Sequence, residues 1–113
     1  MTIVEQKLTR EELKKIAENT FGDMVKAVVD IKRGLLAVDA ELHSDLEGFL
    51  LEKGSRQEDL WGINLYPGLA PEAMVEFDSM INIRPSQGNR IRGVDNAHTQ
   101  KDILDVVFKW VEQ

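Results

Sequence analysis

The feature that most constrains the fold is a change of apolar period at Met24. From there the period is two: Val25, Ala27, Val29 and Ile31 alternate with Lys26, Val28 and Asp30. Only an extended strand places alternate residues on opposite faces. Lys32-Arg33-Gly34 follows as a turn whose glycine accepts a positive φ, and Leu36 and Val38 then resume the period opposite Ala37 and Asp39. This predicts a β-hairpin. Further strands are predicted at Phe49-Leu50-Leu51-Glu52, at Leu60–Tyr66 before Pro67-Gly68, and at Met74–Arg84 before Pro85. Met1–Gln6 is a candidate edge strand, and Glu41–Gly48 is predicted to be a polar connection.

Two helices flank these strands. Thr9 and Glu12 have capping-box spacing, and Leu13, Ile16, Ala17 and Thr20 form a stripe at i, i+3, i+4, i+7. At the other end Ile103, Val107, Trp110 and Val111 form a second stripe, capped by Asp95, Asn96 or Thr99. The expected fold is α+β: an antiparallel β-meander of about five strands, with an N-terminal and a C-terminal helix packed on one face. A chain of 113 residues fits a single domain over residues 1–113.

Several function classes are disfavoured. Cysteine is absent, so thiolate metal sites and thiol catalysis have no residue to use. The formal net charge of −6 repels phosphate backbones, so bulk nucleic-acid binding is not expected. No apolar stretch suggests a signal peptide or a membrane span. The expected location is the cytoplasm. No motif calls for a cofactor, and a homodimer is compatible with the sequence.

Three constellations carry chemistry. Ser55–Asn64 contains Arg56, Glu58, Asp59 and Asn64 around a Gly62-x-Asn64 spacing uncommon in a strand. Arg84–Gly93 contains Arg84, Gln87, Asn89, Arg90 and Arg92 with no acid, in an otherwise acidic chain. Guanidinium forks beside glycines suit a phosphate or carboxylate; equally, these arginines can pair internally with Glu58, Asp59 or Asp78. Alternation along Met74–Arg84 sends Asp78, Asn82 and Arg84 to a polar sheet face, with Asn64 beside them. That face is either solvated or a binding surface. The third constellation, Asp39, Glu41, His43, Asp45 and Glu47, is an oxygen-rich run with one histidine, a weak metal signal.

Gly54–Pro67 (GSRQEDLWGINLYP) and Phe77–Val94 (FDSMINIRPSQGNRIRGV) resemble the signature blocks of a family of small uncharacterised prokaryotic proteins, labelled only as a domain of unknown function. The similarity runs the length of the chain. It implies a prokaryotic, cytoplasmic origin and brings no activity or site.

The reading from the residues is a binding module for a small anionic ligand. Arg84, Arg90 and Arg92 hold the anion with Arg56 in support, Asn64, Asp78 and Asn82 orient the rest, Gln87 and Asn89 supply further donors, and Asp59 completes the ligand-binding set. The alternative is a structural or protein-interaction module using an open sheet face or an edge strand. A metal-dependent hydrolase built on His43, Asp45, Asp59 and Asp78 comes third.

Overall fold

The structure, a computed structural model, describes residues 1–113. Its strands are β1 (Thr2–Ile3), β2 (Val25–Asp30), β3 (Leu35–Val38), β4 (Leu60–Leu65) and β5 (Val75–Glu76). Its helices are α1 (Arg10–Glu18), α2 (His43–Glu52), α3 (Pro71–Met74) and α4 (Ala97–Trp110). Three 3₁₀ turns, Gln57–Asp59, Met80–Asn82 and Pro85–Gln87, punctuate the second half.

The class is α+β with one antiparallel five-stranded sheet. The order is β1-β3-β2-β4-β5, which is not a meander. After β3 the chain crosses back over β2 and re-enters beside it as β4. β2 takes the centre because it is apolar on both faces, and both of its faces are covered. Val25, Ala27, Val29, Leu36, Val38 and Ile63 pack with Leu13 and Ala17 of α1 and Ile103 and Val107 of α4. On the alternate positions, Val28, Ala37 and Leu60 pack against Leu46 and Leu50 of α2. Each of these two leucines is completely buried, which stabilises by about 2 kcal/mol apiece.

Three expectations are corrected here. Phe49–Glu52 is not a strand but the last turn of α2, and Glu41–Gly48 contains that helix's first half rather than a loop. Leu46 and Leu50 stand four apart on one helical face, and tertiary burial of that face outweighs the local turn signals around Gly48. Met74–Arg84 is not one strand either. Pro71 opens α3, only Val75 and Glu76 are extended, and the Ser79 hydroxyl accepts from the Ile81 amide to start a 3₁₀ turn. Alternation therefore lapses after Glu76. Finally, the expected polar sheet face is not open, because α2 lies across it.

Local chemistry fixes the remaining elements. At α1 the Thr9 hydroxyl accepts from the Glu12 amide at 3.0 Å and the Glu12 carboxylate from the Thr9 amide at 3.1 Å, so both halves of the capping box are made. Asn96 caps α4 by accepting from the Thr99 amide at 3.1 Å. Between β2 and β3, Asp30 is wholly buried. One of its oxygens accepts from the Lys32 and Arg33 amides at 2.9 Å each, and the other accepts from the Ser55 hydroxyl at 2.6 Å. Gly34 then supplies a φ of 68°, which closes the turn without a Cβ clash.

Candidate functional site

β4 pairs with β2 along its whole length but with β5 only at Asn64 and Leu65. The rest of its outer edge would be bare backbone, and residues 79–84 seal it with side chains. The Asn82 carboxamide accepts from the Gly62 amide at 2.8 Å and donates to the Gly62 carbonyl at 2.9 Å. It stands in for the peptide group of a missing strand. Ser79 packs so closely that a Cβ on Gly62 would lie 2.6 Å from its Cβ and Oγ, which accounts for the glycine at that position. Further along, Arg84 donates to the carbonyls of Gln57 and Leu60, with its guanidinium 4.3 Å from the Trp61 ring centroid. Burial pulls the Arg84 pKa down, opposed by Glu47 and Asp59. Asn89 closes the loop behind. It donates to the carbonyls of Asn82, Ile91 and Gly93 and accepts from the Asp95 amide.

The ligand set read from the sequence therefore divides. Asn82, Arg84 and Asn89 are buried and engaged with the chain's own backbone. Arg56 is exposed and pairs with Glu58 at 3.1 Å. Asp59 lies in a 3₁₀ turn. Gln87 donates to the Glu58 carbonyl at 3.0 Å and, with Asn89, lines a separate cleft of about 520 Å³ beside the start of α4. Arg90 is exposed. No cleft is lined by Arg84, Arg90 and Arg92 together. Arg84 answers the carbonyls of β4 and of the turn before it.

What the structure does bring together is Asn64, Asp78 and Arg92, in a cleft of about 310 Å³ with Lys26, His43, Ser44 and Ser79, rimmed by Leu42, Met80 and Ile81. Its floor is a row across three strands, because Lys26 pairs with Asn64 and Asn64 with Glu76. These side chains share the face that α2 covers, but they lie beyond the end of the helix. Arg92 donates to Asp78 at 2.7 Å. Asn64 donates to Glu76 at 2.8 Å and to the Asp78 carbonyl at 3.4 Å. Both contacts need the amide nitrogen, which fixes the carboxamide's orientation. Its oxygen is left buried with no protein partner.

His43 opens α2 above this floor. Its Nε2 lies 2.8 Å from the Ile63 carbonyl oxygen. A carbonyl can only accept, so Nε2 carries the proton and, in the neutral ring, Nδ1 carries the lone pair. Burial lowers the His43 pKa below 6.5; the Ile63 contact opposes this, Lys26 and Arg92 add to the lowering, and Asp78 counters them. The ring is accordingly neutral at pH 7. The N-cap of α2 is Leu42, which offers no side-chain acceptor; the Asp45 amide turns back to the Leu42 carbonyl at 3.2 Å, which leaves the amides of His43 and Ser44 without a protein acceptor at the helix's positive end. Sequence reading missed Lys26 because it fell on the polar side of an apparently ordinary hairpin. It missed His43 as a lining residue of this cleft because the helix start has no capping residue to announce it.

A family model spans residues 2–110. The chain belongs to the family described as Protein of unknown function (DUF5674). That span holds the sheet, the cleft and both segments that carried the resemblance. No curated protein and no solved structure matches the chain. His43, Asp45, Asp59 and Asp78 do not converge, and no three acidic or histidine side chains come together as a metal site. No helix is long and apolar enough to cross a membrane.

Proposed function

We propose that the chain is a binding module for a small anionic ligand, seated where α2 begins rather than on the arginine-rich loop. One observation carries this reading: the uncapped N-terminus of α2 opens on a cleft that also holds Lys26 and Arg92. Unsatisfied amides and the helix dipole favour negative charge. Lys26 reinforces that preference, as do the guanidinium N–H groups that Arg92 has left after its Nε donates to Asp78, and neutral His43 does not oppose it. Buried Asn64, with an unpartnered oxygen, is a second sign of a polar ligand. The reading keeps the prokaryotic, cytoplasmic setting, which rests on the absence of cysteine and on the sequence resemblance.

Titration with ethyl phosphate and with acetate, followed by amide NMR shifts, tests it. Saturable shifts are expected at Lys26, His43, Ser44 and Arg92. Replacing Lys26 or Arg92 with alanine should weaken binding about tenfold. The same variants should unfold at nearly the wild-type urea concentration, since neither cation is buried. Shifts confined to residues 84–91, or none that saturate, would remove the proposal. An interaction module remains the second reading, favoured by exposed Leu42 and Met80, 53% and 65% accessible, at the cleft rim.

A further inference from the structure

The cleft's free valences are of two kinds, and they specify more than charge. Lys26, Arg92 and the first amides of α2 donate. Asn64 Oδ1 accepts and is buried with no protein partner; His43 Nδ1 also accepts in the neutral ring, but it is not a buried orphan and water can reach it. Both residues are more than nine-tenths buried, at 6% and 8% accessible. Each is held rigidly by its other polar atom: Asn64 by Glu76 and Asp78, His43 by Ile63. A buried acceptor without a donor is costly, and an anion cannot supply the missing proton. From this we infer that the ligand of the cleft carries a hydroxyl or N–H donor on a short carbon skeleton beside its anionic group, as hydroxyalkyl phosphates and hydroxy acids do. The donor answers Asn64 Oδ1 and His43 Nδ1, the anion lies at the start of α2, and the skeleton rests against Leu42 and Met80.

This rests on the anion-site reading, and the test separates the two. Ethyl phosphate and 2-hydroxyethyl phosphate differ by one hydroxyl. Both are titrated by calorimetry into the native protein at pH 8 and at pH 5.

At pH 8 the hydroxylated phosphate is expected to bind about tenfold more tightly, the scale of one satisfied neutral hydrogen bond. As pH falls through the His43 pKa, which burial holds below the ordinary histidine value, the ring takes up a proton, Nδ1 becomes a donor, and the preference should fall. Lys26, Asp78 and Arg92 face His43, and Glu76 is joined to Asn64. Both ligands meet these groups alike, so the affinity ratio cancels their titration and that of the phosphate. Asn64→Ala should bring the ratio at pH 8 towards one, whatever it does to the affinity for each phosphate separately.

Equal affinities at pH 8, as when a water molecule satisfies Asn64, overturn the donor inference and leave the anion site standing. An unequal pair whose ratio survives both pH 5 and Asn64→Ala also overturns it, because the hydroxyl is then read elsewhere. Failure of both phosphates to bind overturns the anion site, and this inference with it.

Discussion

Gly62 shows how much one missing methyl can hold together. Its amide and carbonyl are both taken by Asn82, and Ser79 occupies the space a side chain would need. An alanine there must push Ser79 away, and with it the 3₁₀ turn that delivers Asn82. Gly62→Ala should therefore destabilise by about 2–3 kcal/mol, measured as a lowered urea midpoint with unchanged slope. A loss under about 0.5 kcal/mol would mean the contact is slack and the edge seal independent of it. The oddness of Gly62-x-Asn64 was legible in the sequence, whereas its cause was not. Ser79 and Asn82 come from a segment whose extended pattern breaks at a hydroxyl-capped turn, and nothing in residue spacing distinguishes that from a continuing strand.

Among the elements, the β4 edge and α2 lay furthest from the sequence reading, for opposite reasons. α2 has leucines on one face and acids around the rest, so its fragments resemble a strand and a loop when taken separately. Only the apolar alternate face of β2 and β3, at Val28 and Ala37, signals that something must cover it. The β4 edge was misread because arginine beside glycine is the pattern of an anion loop, yet Arg84 serves as a backbone surrogate under Trp61. Arg84→Ala should cost about 3 kcal/mol in unfolding free energy, since it leaves the buried Leu60 carbonyl and the part-buried Gln57 carbonyl without their donor and removes the guanidinium from Trp61. Arg84→Lys should recover less than half, because an ammonium cannot span both carbonyls as a planar fork does. In contrast, ethyl phosphate affinity should stay within about twofold in Arg84→Lys. An affinity loss exceeding the stability loss would return Arg84 to the ligand site. By comparison the hairpin, α1 and α4 were legible, since capping boxes, turn glycines and apolar periods are local signals.

For the whole molecule, His43 ties the cleft to the stability of the fold. Its ring bridges α2 to β4 through Ile63, so the imidazole is buried wherever the two layers are packed. Burial lowers its pKa from 6.5, and the unfolded chain, with an ordinary histidine, binds the proton more readily. Stability linked to this group is thus fully present above about pH 6.5 and is lost as pH falls towards the folded-state pKa. The direction is opposite to that of a histidine stabilised by a carboxylate. His43→Gln can still donate its carboxamide to Ile63 but cannot titrate. Urea unfolding between about pH 5.5 and 7.5 should show wild-type stability falling with acid and a flatter profile in His43→Gln. The same slope in wild type and His43→Gln would mean the imidazole is hydrated well enough to protonate without strain. The two layers would then not be coupled through it.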